Sequence, residues 1–330
     1  MHLHIPIWGG KVPGNTGRSK EEALNPWHPD WTAFEACETL FRPEKRLSDM
    51  SGANTVTRLL QIPSGYVSAD FDDVPYIVPF LAGSRESVLI CPGGAYYDVS
   101  LDQEGYPTAE FLQKSGVTAF VLKYRTWPYR YPTAFLDCRR ALCYIKAHAD
   151  DFGIDPERVS LMGFSAGGNL AGITTFLFRE MPETEGYERD ATDRCDPAPA
   201  SLALIYPELL ADRFLLSLQF GERIFQDKTF YEEVRRRFFL PDYVRHDSVP
   251  VFLCCCLDDT VVEPENVLTM ASAYYRAGAS VELHLFREGG HGFGVRQEDI
   301  PPMYGHPSFR MAGTREWIRL YLSWLSKTVG

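Results

Sequence analysis

Basic residues are the scarce ones in this 330-residue chain: 33 Lys and Arg stand against 44 Asp and Glu, for a formal net charge of −11. A nucleic-acid groove needs clustered positive charge, so no nucleic-acid partner is expected, and a polyanionic substrate is disfavoured. Long apolar runs are missing as well. The longest, "VPVFLCCCL", is far too short to cross a bilayer, and the opening "MHLHIPIWGGKVPGNTGRSK" has no apolar core of a signal peptide. No Cys-x-x-Cys pair occurs among the eight cysteines, so a zinc site of that kind is not expected. Three of them, Cys254, Cys255 and Cys256, are consecutive. On a strand they would point to opposite faces in turn, which suits packed thiols better than a disulfide framework. The expectation is a chain without membrane span, metal or cofactor, in a reducing cytoplasm. Oligomeric state is not legible, and a homo-oligomer stays open.

What is present is a regular alternation of patterns. Residues 1–54 are rich in Pro, Gly and Trp with little periodicity and read as an irregular arm packed on the core, with a short helix near Trp31 to Leu40. From residue 55 the pattern becomes that of a catalytic domain running to 330. "TVTRLLQI", "VPYIVPFL", "SVLICP", "VTAFVLKY", "VSLMGF", "SLALIYP", "VPVFLCCCL" and "VELHLF" read as strands. Between them lie helical stretches: Tyr106 to Lys114, a long one with Phe135, Cys138, Leu142 and Ile145 stepping by three and four, "SAGGNLAGITTFLF", and one carrying Val267, Met270 and Tyr274. A final helix uses Trp317, Leu320 and Trp324. Residues 207–249 are mixed and aromatic-rich, a candidate lid or pocket-shaping segment. Strands alternating with helices imply an α/β fold, a mostly parallel central sheet flanked by helices on both faces. Ligand chemistry on such a sheet sits beyond the carboxyl ends of the strands.

Four short stretches fall at such ends. In "LMGFSAGGNL", residues 163–167 fit Gly-x-Ser-x-Gly. That match alone is weak, since glycine frequency produces it by chance in about one chain in ten of this length. Placed between a strand and a helix it becomes a signal: Ser165 sits on a strained turn with its hydroxyl exposed, and Gly163 and Gly167 avoid clashes. The Ala166 amide opens the next helix and can face a developing oxyanion. A serine hydroxyl needs a base, and "EGGHGFG" supplies His291 in a glycine-flanked loop after a strand. His284 lies mid-strand and reads as structural, and His2 and His4 do not read as metal ligands. "CCCLDDTVVEPEN" places Asp258 and Asp259 past another strand, giving the chain order Ser165, Asp259, His291. Either aspartate could equally cap a turn. Finally "CPGGAYYDVS" offers a turn with almost no side chains, with Gly94 and Ala95 as amide donors and Gly93 as turn-maker.

These residues resemble the α/β-hydrolase superfamily. More narrowly, "CPGGAYY", "EGYPTAEFLQKSGVTAFVLKYR", "GIDPERVSLMGFSAGGNLA", "DDTVVEPEN" and "VELHLFREGGHGFG" resemble the acetyl-xylan-esterase and feruloyl-esterase-like branch, the carbohydrate esterases or prolyl-oligopeptidase-like hydrolases. The resemblance spans about residues 86 to 326. It implies the α/β-hydrolase fold, with Ser165 as nucleophile, His291 as base, Asp259 as acid, and amides of Gly94, Ala95 and Ala166 as the oxyanion hole. It selects Asp259 because the acid in that motif precedes one residue and then two valines, which leaves Asp258 to hold loop amides. Ala95 departs from the third glycine common in the branch, and "VVEP" from the common "VVP".

The function so implied is a serine esterase hydrolysing small acyl groups, acetyl above all, from a carbohydrate or similar alcohol, through an acyl-enzyme and without a cofactor. The partner is then a small-molecule ester, an acylated sugar in the narrower reading. Rings in "YRTWPYRYP" and in 207–249 could stack on that sugar or belong to the core. Two other readings stay open: a small-molecule amidase or peptidase with the same triad, and a non-catalytic binding protein on a hydrolase scaffold.

Overall fold

A computed structural model of the chain describes residues 2–9, 12–15, 74–127, 129–184, 187, 189–295 and 314–330. The expected helix near residues 31–40 and the expected strand at 55–62 lie outside the described residues.

The apolar runs become strands: β1 (Ile5–Pro6), β2 (Tyr76–Phe80), β3 (Ser87–Cys91), β4 (Thr118–Lys123), β5 (Val159–Phe164), β6 (Leu202–Ile205), β7 (Val251–Cys256) and β8 (Val281–Phe286). Among the described residues they form one sheet in the order β1-β2-β4-β3-β5-β6-β7-β8. β1 and β2 are antiparallel to their neighbours and the rest is parallel. Every residue of β3, β4, β5, β6 and β7 is buried, as continuous apolar strands covered on both faces should be. β8 closes one edge and is only half-buried, which its alternating "VELHLF" already carried.

The covering helices are α1 (Tyr106–Lys114), α2 (Thr133–Ala147), α3 (Ala166–Leu177), α4 (Arg213–Phe220), α5 (Lys228–Phe238), α6 (Glu265–Ala277) and α7 (Trp317–Thr328). Their periodic apolar residues face the sheet: Phe135, Cys138, Leu142 and Ile145 on α2 are fully buried, and Val267, Met270 and Tyr274 on α6 nearly so. Residues 207–249 carry α4 and α5, joined by a short helical turn at Arg223–Gln226. No helix of the described residues is long and apolar enough to cross a membrane.

The described start of the chain is built into the sheet. Ile5 pairs with Ile77 and Pro6 with Tyr76, and a proline at so short an edge limits further pairing. Trp8 Nε1 donates to Asp137 Oδ1 at 2.9 Å, and the same buried carboxylate takes Arg125 Nη2 at 2.7 Å and Arg125 Nε at 2.9 Å. Arg140 reaches back to the carbonyl of Ile7 at 2.8 Å. His2 and His4 stack on Tyr106 and Tyr76, with ring centroids 4.5 and 4.1 Å apart.

Register positions the site. Cys91 pairs with Gly163, Phe164 with Ile205, and Ile205 with Cys254. β3, β5, β6 and β7 therefore end nearly level, and the loops leaving them meet at one rim of the sheet.

Candidate active site

β5 ends at Phe164 and α3 begins at Ala166, so a single residue must reverse the chain. Ser165 does it with φ 51° and ψ −120°, a conformation that costs an L-residue about 1–3 kcal/mol and persists only where the surroundings impose it. Those surroundings are tight. A Cβ on Gly163 would lie 2.2 Å from the Gly167 carbonyl oxygen, and one on Gly167 would lie 2.1 Å from that of Cys91. The Ser165 amide is itself held by the Ile205 carbonyl at 3.0 Å.

His291 and Asp259 come to this turn from their own loops. His291 Nε2 is 2.8 Å from Ser165 Oγ, and His291 Nδ1 is 2.8 Å from Asp259 Oδ2. A carboxylate at Nδ1 favours the tautomer that carries its proton there, leaving the Nε2 lone pair for the serine proton. The other carboxylate oxygen, Asp259 Oδ1, accepts the amides of Val261 and Val262, both at 2.9 Å, so the carboxylate cannot swing. The His291 and Asp259 side chains are buried to within 4%. Burial alone would push the imidazole pKa down, but the Asp259 charge and hydrogen bond, helped by Glu104, outweigh it and hold the pKa above its ordinary value. Asp258 does different work: its Oδ1 accepts the Gly289 and Gly290 amides at 2.9 and 2.8 Å, pinning the loop that carries His291. His284 is far from this cluster in role, with Nε2 on Glu282 and its ring against Phe252.

The loop after β3 supplies backbone amides. Gly94, Ala95 and Tyr96 all have positive φ, at 121°, 52° and 59°. A Cβ on Gly94 would sit 2.2 Å from the Asp98 carbonyl oxygen, so only glycine closes the turn. The Gly93 carbonyl accepts from Ser100, and the Gly94 carbonyl accepts from Tyr97 and Asp98. Because a peptide is planar and trans, the amides of Gly94 and Ala95 then point the opposite way. Neither they nor the Ala166 amide donates to any described group. The Gly93 and Gly94 carbonyls are satisfied, and these three amides near Ser165 keep their donors turned away from the described acceptors.

Two further residues at this rim were not singled out from the sequence. Glu104, in a π-helical turn (Leu101–Gly105), is buried and accepts from the Gly93 amide and from Tyr206 Oη at 2.9 Å. Tyr206, the residue after β6, has φ 40° and lays its ring edge-on to His291 at 4.8 Å between centroids. A carboxylate just before an apolar helix is the only signal the sequence gave for Glu104. Asn169, one turn into α3, accepts from Tyr96 Oη at 2.8 Å and donates to Glu208, a buried carboxyl that burial and the Asp212 charge push up to about 7. Beside them lies a cavity of about 10 Å³, room for one water-sized molecule, lined by Tyr131, Phe135, Gln219 and Phe220 among others. In "YRTWPYRYP", Tyr124 is fully buried and Trp127 is 8% exposed, so these two rings are core.

A sharp strand–serine–helix turn, a histidine and an aspartate reached from later strand ends, and a glycine loop after an early strand define a hydrolase of the α/β class. The chain belongs to the alpha/beta hydrolase fold family, which it matches over residues 88–295. It is 26% identical over 241 residues to endo-1,4-beta-xylanase B of Butyrivibrio fibrisolvens, covering 70% of this chain and 36% of that one. It is 28% identical over 216 residues to an acetylxylan esterase of Xylanibacter ruminicola, covering 64% and 42%. The chain thus spans about two-fifths of the length of these curated relatives. An acetyl ester-xyloside bifunctional hydrolase from Caldicellulosiruptor lactoaceticus shares the fold over 100% of this chain and 98% of its own, with a TM-score of 0.70 at 23% identity.

Proposed function

We propose that this chain is a serine esterase that removes small acyl groups, acetyl first among them, from a carbohydrate or similar alcohol. The observation that carries the reading is the unbroken chain of hydrogen bonds from Asp259 to His291 to Ser165, 2.8 Å at each step, at the level rim of a parallel sheet. In this reading His291 takes the Ser165 proton as Oγ attacks the ester carbon. The oxyanion that forms is met by the amides of Gly94, Ala95 and Ala166, the last at the start of a helix whose dipole favours negative charge. The imidazolium, steadied by Asp259, then protonates the departing alcohol. Water repeats the sequence on the acyl-enzyme, with Ser165 as leaving group. Every proton moves among side chains of this chain, the substrate and the attacking water, so the cycle requires no cofactor.

The names of the xylan-linked relatives support an acetylated sugar as the alcohol side. Residues 55–330 would form the catalytic domain, residues 1–54 an irregular arm packed on its core, and 207–249 a lid or pocket-shaping segment. The seven described cysteines are all free thiols, in keeping with a reducing cytoplasm. The test is kcat/KM across 4-nitrophenyl esters from acetate to octanoate, alongside acetylated xylo-oligosaccharides. Acetate should lead among the activated esters, and the sugars should release acetate. A higher kcat/KM for octanoate, or no deacetylation of any sugar, would contradict the substrate assignment.

A further inference from the structure

The reaction above uses Asp259 and leaves a second buried carboxylate at the same rim unexplained. Glu104 is 5% exposed and sits in the π-helical turn before α1, a distortion that tends to accompany functional sites. Its two oxygens serve two different loops. Oε2 accepts the amide of Gly93, the residue immediately before the Gly94 and Ala95 amides. Oε1 accepts the Tyr206 hydroxyl at 2.9 Å, and that hydroxyl in turn accepts the Gly294 amide at 3.3 Å in the loop that carries His291. The Tyr206 ring meets the His291 ring edge-on. The carboxylate and the nucleophile flank the same glycine: a Cβ on Gly93 would be 2.9 Å from both Glu104 Oε2 and Ser165 Cβ.

We propose that Glu104 is a positioning residue for the esterase reaction, a single buried carboxylate that ties the amide loop at Gly93 to the histidine loop and sets a second negative charge beside His291. The inference rests on the esterase reading. Its basis is geometric. Gly93 is held at both ends, its amide by Glu104 and its carbonyl by Ser100, so the peptide plane presenting the Gly94 amide cannot rotate. Without the carboxylate, the Gly93 amide would be buried with no acceptor and the loop would turn to find one.

Charge gives the second consequence. Among the described residues, the ionisable groups facing His291 include Asp259 from the loop after β7, Glu104 from the π-helical turn, Tyr206 from the end of β6 and Ser165 itself. Those facing Glu104 are Tyr206, Tyr124 and His291. Burial raises the Glu104 pKa, while the Gly93 and Tyr206 hydrogen bonds and the attraction of His291 pull it back. Both oxygens are acceptors, which suits the ionised form.

Glutamine and alanine separate the two roles. In Glu104→Gln the amide oxygen can still accept from Gly93 and the NH₂ can donate to the Tyr206 oxygen, so the tie survives and the charge is lost. The acid-side midpoint of kcat/KM on 4-nitrophenyl acetate should then fall by about half a unit to one unit, with kcat down less than about tenfold. In Glu104→Ala the tie is lost too, and kcat should drop about 100-fold with KM little changed, the scale of losing one oxyanion donor. A merely structural role would lower stability without moving the pH midpoint. An unmoved midpoint in Glu104→Gln overturns the proposal, and that variant decides alone if the alanine variant does not fold. Failure of the esterase reading looks different: the wild type would show no turnover, or would keep it after Ser165→Ala, and both inferences would fall together.

Discussion

Replacing Asp259 by asparagine alters one group, and the surrounding bonds dictate how the new side chain must sit. Oδ1 of the aspartate accepts the amides of Val261 and Val262, while Oδ2 faces His291 Nδ1. An asparagine turned the other way would set its NH₂ against two backbone N–H groups, donor against donor. It therefore keeps its oxygen on Val261 and Val262 and presents the NH₂ to His291. Nδ1 must then accept, the ring proton moves to Nε2, and Nε2 can no longer take the proton of Ser165. The imidazolium also loses the charge that supports it. The same wrong-tautomer effect lowers kcat about 10⁴-fold in serine proteases, equivalent to about 5.4 kcal/mol of barrier. We expect a loss of a few orders of magnitude here, read as kcat on 4-nitrophenyl acetate after circular dichroism has shown the variant folded. Asp258→Asn is the matched control. Its oxygen can go on accepting the Gly289 and Gly290 amides, so the expected loss is within about tenfold and mainly through stability. A folded Asp258→Asn that is more impaired than Asp259→Asn would refute this assignment of the two carboxylates.

Three other outcomes are expected. Cys254, Cys255 and Cys256 are at most 2% exposed, and burial pushes the Cys255 thiol up to about 12, so thiol titration of the native protein should leave all three unmodified; rapid labelling without denaturant would contradict their place in β7. Asp137 is fully buried and takes donors from Trp8 and Arg125, so Asp137→Ala should cost about 3–5 kcal/mol in chemical denaturation; a loss under 1 kcal/mol would mean the described start of the chain is not locked to α2. Glu208, raised to about 7 when folded, binds its proton more tightly folded than unfolded, so its stabilising effect is complete below the unfolded value of about 4.3 and is lost as pH rises through 7. Between pH 6 and 8 that group alone should remove about 1 kcal/mol, seen as a falling Tm that Glu208→Gln makes shallower.

The parallel core was legible because its strands are buried on both faces. "SVLIC", "LALI" and "VFLCCC" have no polar alternation to confuse them, and α1 begins and ends where its apolar spacing places it. β1 was not legible: two residues carry no periodicity, and Ile5–Pro6 is a strand only because β2 offers it an edge. The helices of 213–238 were obscured because their aromatic residues face one another, as Phe220 and Phe238 do at 5.3 Å, rather than a periodic sheet. At the site, glycine spacing pointed to Ser165 and His291, while only the resemblance to the esterase motif separated Asp259 from Asp258. Glu104 and Tyr206 belong to no such pattern. Tyr206 meets His291, and Glu104 reaches Tyr206, only because β3, β5 and β6 end level, a fact of register that no local stretch of sequence contains.

The proposed cycle stands on Ser165 Oγ as the nucleophile that forms the acyl-enzyme. The direct measurement is intact-protein mass spectrometry and peptide mapping after a fluorophosphonate is titrated in, with esterase activity followed in the same samples. We expect one adduct per chain, mapped to Ser165, with activity falling in step with the label and both absent in Ser165→Ala. Labelling at another residue, or a Ser165→Ala protein that still hydrolyses 4-nitrophenyl acetate at the wild-type rate, would contradict it.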